Sequence, residues 1–247
     1  MKKLLLSAFV ICLAGTSIAQ ESPLWMRHCA LSPDGTTIAF TYKGDIYTVP
    51  STGGRATQIT TNPAFDTEPV WSPDSKQIAF ASDRMGSLDV FVVSSEGGAP
   101  QRLTTHSGSE KPVAYKDNKH ILFTANIAPS AEDAGFPSGQ FQQVYEVAVT
   151  GGRPAMFSSM PMECISINKE GVMLYQDKKG YEDYWRKHQV SPIARDIWTY
   201  TPGKKPVYQK QTTFGGEDRE PVWSPDGKSF YYLSEEKGSF NIFQRTP

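Results

Sequence analysis

The sequence predicts an all-β chain of consecutive four-stranded sheets, and three observations carry that expectation. The string EPVWSPD occupies residues 68–74 and returns at 220–226. It belongs to a longer unit that recurs as LSPDGTTIAF (31–40), WSPDSKQIAF (71–80), AYKDNKHILF (114–123), INKEGVMLY (167–175) and WSPDGKSFYY (223–232). Gly, Pro, Tyr and Phe are abundant and no long stretch has helical periodicity, which points to short strands and many turns. The aligned acids at 34, 74, 117, 170 and 226 lie 40, 43, 53 and 56 residues apart. Four strands at that period are the signature of β-propeller blades. Repeats fall near 24–61, 65–105, 109–158, 162–213 and 217–247, about five blades of six, so the ring is expected to be incomplete.

Each strand has a local reason. In the second repeat, residues 69–71, 77–81, 89–94 and 101–104 are rich in β-branched and aromatic residues in alternation. Ser-Pro-Asp-Gly places Ser at i, Pro with a preset φ at i+1, Asp at i+2 and Gly at i+3, the chemistry of a type I turn between the first two strands. The Gly-Gly pairs at 53–54, 97–98 and 151–152 supply the positive φ of a tight hairpin between the third and fourth. Turn chemistry therefore accounts for the repeated string without catalysis, and Trp71 and Trp223 are expected to pack between blades. The last residues, NIFQRTP (241–247), match a third strand and stop before a Gly-Gly turn. An unpaired edge there makes residues 20–247 read as the N-terminal part of a longer protein.

Residues 1–19 read as a signal peptide. Lys2 and Lys3 precede an apolar run, and Ser17-Ile18-Ala19 offers small residues for cleavage before Gln20. The run is too short to span a bilayer, and Ile11 before Cys12 is too bulky for a lipoprotein signal, so export without a membrane anchor is expected. The mature chain would carry 23 Lys and Arg against 26 Asp and Glu, which argues against a nucleic-acid partner. Cys29 and Cys164, three repeats apart, are expected to be buried free thiols.

Function is expected on one face. The first and third turns of each blade share one face, and the second turns and interblade linkers share the other. The two longest second turns, spanning 124–143 and 176–195, emerge on the linker face, and function concentrates on loops held by a rigid scaffold. The linkers carry Asp66, Glu68, Asp218 and Glu220, which would ring a channel mouth; the plain alternative is solvated carboxylates or caps of local amides. In GYEDYWRKH, the residues Tyr184, Trp185, Arg186 and Lys187 suit binding of a peptide carboxylate or packing on a partner subunit; the alternative is a loop tied down by its own aromatics. GxSxG, HExxH, CxxC and P-loop strings are absent and the four histidines are scattered, so this segment is expected to hold no catalytic residue and to need no cofactor or metal.

The repeats resemble those of TolB, prolyl oligopeptidases and tricorn proteases. The segments SPLWMRHCALSPDGTTIAFTYKGDIYTVPSTGGRATQIT, YEDYWRKHQVSPIARDIW and TTFGGEDREPVWSPDGKSFYYLSEE are similar to the N-terminal six-bladed propeller of tricorn-like serine peptidases. That resemblance implies a long, homo-oligomeric peptidase acting on oligopeptides, with a second propeller, a PDZ-like domain and a Ser/His catalytic core downstream of this segment; the archaeal relatives are cytosolic, and the export signal at 1–19 is a departure from them. The propeller would gate peptides, and the family's basic residues that hold a substrate's C-terminal carboxylate would correspond to Arg186 and Lys187. Two other readings stay open: a TolB-like, non-enzymatic periplasmic propeller that binds a protein partner, and the propeller of an exported prolyl oligopeptidase-type enzyme.

Overall fold

A computed structural model describes residues 25–127, 141–180 and 190–247. All regular structure in these residues is β. The first blade holds β1 (Arg27–Leu31), β2 (Thr37–Tyr42), β3 (Asp45–Pro50) and β4 (Thr57–Gln58). The second holds β5 (Asp66–Trp71), β6 (Gln77–Ser82), β7 (Asp89–Ser94) and β8 (Gln101–Arg102). The third holds β9 (Lys111–Asp117), β10 (His120–Ala125), β11 (Gln143–Ala148) and β12 (Ala155–Ser158). The fourth holds β13 (Met162–Ile167), β14 (Met173–Asp177), β15 (Ile197–Thr201) and β16 (Val207–Lys210). The fifth has three strands, β17 (Asp218–Trp223), β18 (Phe230–Ser234) and β19 (Asn241–Arg245). Every sheet is antiparallel with its strands in chain order, and the ring is not closed by strands.

The turns form as their composition requires. Gly35 N donates to Ser32 O at 2.8 Å, closing the type I turn, while Ser32 Oγ donates to Asp34 Oδ1 at 2.6 Å and accepts from Thr37 N at 3.0 Å. The Ser32 hydroxyl and the Thr36 amide hold the exposed Asp34 carboxyl down at about 2. Ser72 with Asp74 and Ser224 with Asp226 repeat this arrangement. In the second blade Ser75 stands where the first, fourth and fifth have Gly and sits at φ 60°, the left-handed region its turn imposes. Gly97 and Gly98 take φ 88° and 117° in the outer hairpin, where an L side chain is strained. The outermost strand β8 is shorter than the sequence suggests, because Thr104 leaves the ladder and accepts the Val90 amide on its Oγ1 at 2.9 Å. Thr60 and Thr212 do the same for Ile46 and Ile197.

The core is divided into four layers, one at each blade junction. Ile46, Trp71, Phe80 and Phe91 fill the first; Val90, Ile121, Phe123 and Tyr145 the second; Leu122, Met162, Met173 and Tyr175 the third; Ile197, Phe230 and Tyr232 the fourth. Trp71 and Trp223 pack between blades as expected. The indole of Trp71 donates to Ala30 O of the first blade at 3.0 Å, and that of Trp223 to Val172 O of the fourth at 3.1 Å. Every innermost strand carries a β-bulge, which bends it around the ring axis.

Candidate functional site: the central channel

The innermost strands surround a channel with a cavity at each end. The cavity on the turn face, ≈ 410 Å³, draws on all five blades through residues such as Pro33, Trp71, Tyr115, Asn168 and Trp223. The cavity on the linker face, ≈ 400 Å³, is lined by His28, Cys29, Glu68, Glu163, Cys164 and Lys178 among others. Val70 and Val113 border both and form the waist between them. Gln142 and Lys178, which belong to the described ends of the two long second turns, also line the linker-face cavity.

One repeat position, six residues before the aligned turn acid, holds His28, Glu68, Lys111, Cys164 and Glu220, and of these His28, Glu68 and Cys164 line the linker-face cavity. Four of these sit at the bulge with positive φ, His28 at 51°, Glu68 at 55°, Cys164 at 52° and Glu220 at 54°. A non-glycine residue in that region carries strain that the surrounding sheet must hold. Lys111 Nζ bridges to Glu68 Oε1 at 2.7 Å. Glu163 gathers Lys178 at 3.0 Å, Gln176 Nε2 at 3.0 Å and Arg195 Nε at 3.3 Å. Burial would raise the Glu163 carboxyl, but the Gln176 amide and the Lys178 ammonium outweigh it and hold it below its ordinary value.

The channel corrects two expectations. Cys29 and Cys164 are unbridged but exposed to the channel rather than buried in blades. Desolvation in this narrow space, with the nearby Glu220 and Glu163 carboxylates, pushes the Cys164 thiol up to about 12, so it stays protonated and is a poor nucleophile at neutral pH. The four linker carboxylates also do not form one ring. Glu68 faces the channel and Glu220 lies near Cys164, whereas Asp66 and Asp218 are turned into their blades and are 0% and 1% exposed. The reason is the period of a strand, which sends residues two apart to one face until the bulge intervenes. Tyr184, Trp185, Arg186 and Lys187 lie outside the described residues. Sequence reasoning missed His28 and Cys164 as lining residues, although their shared offset from the turn acid was a usable signal.

Asp66 and Asp218 occupy the same place in their blades with different partners. Arg84 NH2 reaches both Asp66 oxygens at 2.9 Å, while its Nε donates to Ser82 Oγ at 2.8 Å and its guanidinium lies 4.5 Å from the Phe91 ring centre. In the fifth blade Ser234 matches Ser82, but Glu236 stands where Arg84 would be. Burial pushes the Asp218 carboxyl up to about 6; the Ser234 and Thr212 hydroxyls offset part of this, and Asp196 and Glu236 add to it. A folded value above the unfolded one means the native state binds the extra proton, so this group's contribution to stability grows as pH falls from about 7 towards 4. Asp218→Asn is expected to stabilise the chain at pH 7.5 by on the order of 2 kcal/mol, with the gain gone near pH 4, as read from urea midpoints at both values.

Fanned four-stranded sheets around an axial channel define the chain as an open-ringed β-propeller. It belongs to the family described as the tricorn protease N-terminal beta propeller domain, whose model matches residues 23–247. Tricorn protease homolog 1 of Streptomyces coelicolor is 39% identical over 213 residues, covering 85% of this chain and 19% of that protein. The crystal structure of the tricorn protease superposes with a TM-score of 0.71 at 17% identity, over 91% of this chain and 22% of that one. TolB from Acinetobacter baumannii superposes at 0.63 with 18% identity, over 90% and 52%. The chain thus spans about a fifth of the length of its tricorn relatives.

Proposed function

We propose that this chain is the N-terminal gating propeller of an exported tricorn-like serine peptidase that degrades oligopeptides. The axial channel, with a valine waist between two cavities of mixed polar and apolar lining, carries the reading. Such a passage suits an extended peptide, whose backbone and side chains meet alternating polar and apolar walls, and excludes a folded domain. The bond chemistry, a serine nucleophile activated by a base with an oxyanion hole, belongs to parts of the polypeptide outside this segment. The signal peptide at 1–19 delivers the protein to the periplasm or beyond, and Arg186 and Lys187, with Tyr184 and Trp185, hold peptide carboxylates. The full-length protein works as a homo-oligomer.

The test uses Val113→Trp in the full-length polypeptide, which narrows the waist. Turnover of peptides of ten or more residues is expected to fall at least tenfold more than that of a short fluorogenic peptide, with the isolated chain 20–247 inactive on both. Equal effects on long and short substrates would remove the gating role, and hydrolysis by the pure isolated chain would remove the division of labour. A protein partner captured by a full-length polypeptide that hydrolyses neither peptide would favour the TolB-like reading.

A further inference from the structure

Three blade junctions share one polar device. Asp66 N donates to Gly44 O at 2.7 Å, Glu110 N to Leu88 O at 2.7 Å and Asp218 N to Arg195 O at 3.1 Å. Each acceptor immediately precedes an acid at or just before the start of the third strand of the previous blade, so two carboxylates meet at each junction: Asp45 with Asp66, Asp89 with Glu110, and Asp196 with Asp218. Buried carboxylates require compensation. Arg84 supplies it on Asp66 and Arg102 on Asp89, at 2.9 Å each. At the third, Lys210 at 2.8 Å and Lys179 both serve Asp196. Asp218 is 1% exposed; the Ser234 and Thr212 hydroxyls lie near it, but neither makes a hydrogen bond of ordinary geometry to its oxygens, and none of the ion pairs among the described residues includes it.

Beside Asp218 is a cavity of ≈ 230 Å³ bounded by Thr212, Phe214, Asp218, Tyr232, Glu236 and Arg245. Its counterpart in the second blade is filled. There Arg84 lays its guanidinium on Asp66, within 5.5 Å of the Phe80 ring centre and 4.5 Å of that of Phe91. The strand register equates Phe80 and Phe91 with Tyr232 and Phe243, and Asp66 and Ser82 with Asp218 and Ser234. The arginine is missing, with Glu236 in its place, and Tyr232 stands for Phe80. The neighbouring cations are engaged elsewhere: Arg219 lies over the Phe240 ring at 3.9 Å, and Arg245 lies against the Tyr232 hydroxyl and makes no ion pair with Asp218.

We infer that this cavity is a receptor for a guanidinium group supplied from outside the chain, as carried by an arginine side chain. A buried carboxylate offers two acceptor oxygens to the planar fork, the aromatic walls suit its face, and Glu236 adds a second negative charge at the mouth. Among the described residues no three His, Cys, Asp or Glu side chains converge as a metal site, which favours an organic cation. The inference does not depend on the peptidase reading, since it concerns a different place in the fold and is tested without hydrolysis.

The test is thermal melting and calorimetric titration of this chain with agmatine, with a blocked Gly-Arg-Gly peptide and with its lysine counterpart. Ten millimolar agmatine is expected to raise the midpoint by roughly 2 °C or more, and lysine peptide by less than half as much. Glu236→Arg fills the receptor from within, so it should raise the midpoint without ligand and abolish the response. Asp218→Asn should abolish the response while the protein stays folded. Agmatine and arginine peptide acting alike would identify peptide arginine as the source, and agmatine alone a small guanidino compound. No response in the unaltered chain, or a response that survives either substitution, would overturn the inference.

Discussion

Replacing Arg84 with Ala is expected to destabilise the chain by about 3–5 kcal/mol, the cost of leaving a buried charge without its partner. Asp66 is 0% exposed and receives both of its closest contacts from one Arg84 nitrogen, so no solvent can take over. The guanidinium also stacks over Phe91, so the substitution opens a gap in the wall between the first two blades. The double substitution Asp66→Asn with Arg84→Met should recover most of the loss, because the penalty arises from an orphaned charge rather than from the absence of an ion pair. Urea midpoints of the single and double variants decide this, and a single variant within 1 kcal/mol of the parent would show that Asp66 is compensated some other way.

Phe123→Ala is expected to cost a similar 3–5 kcal/mol. Its ring is 0% exposed, stacks on Tyr145 with centres 5.7 Å apart, and belongs to the layer shared by the second and third blades. Because each junction is its own core, the void cannot be closed by collapse of a distant element. Phe243→Ala is the control, since that ring is only partly buried against the fourth layer and should cost less than half as much. Thermal or urea unfolding of the two variants provides the comparison, and equal losses would contradict the division of the core into junction layers.

The blades were legible because their turns and strands are local chemistry. Ser32-Pro33-Asp34-Gly35 and the Gly97-Gly98 pair dictate their own backbone, and alternation along 77–82 and 89–94 marks the strands between them. The channel was less legible. Asp66 and Glu68 look equivalent in the linker, but a bulge between Thr67 and Val70 reverses the register, sending one into the blade and the other to the axis. The same bulge logic brings Cys29 and Cys164, distant in sequence, to the lining of one cavity. The partner of Asp218 was hidden differently: the contrast between Ser82-Asp83-Arg84 and Ser234-Glu235-Glu236 is plain in the sequence, but its meaning depends on knowing that Arg84 reaches Asp66.

The lining position set by the bulges has an evolutionary consequence. His28, Glu68, Cys164 and Glu220 each belong to a separate sheet, at a point where the ladder is already interrupted. Exchanging one of these side chains leaves the pairing of its neighbours untouched, so the passage resembles a combination lock whose wheels turn independently. Descendants of such a gene can retune what travels along the axis one wheel at a time, without renegotiating the architecture that holds the wheels in line.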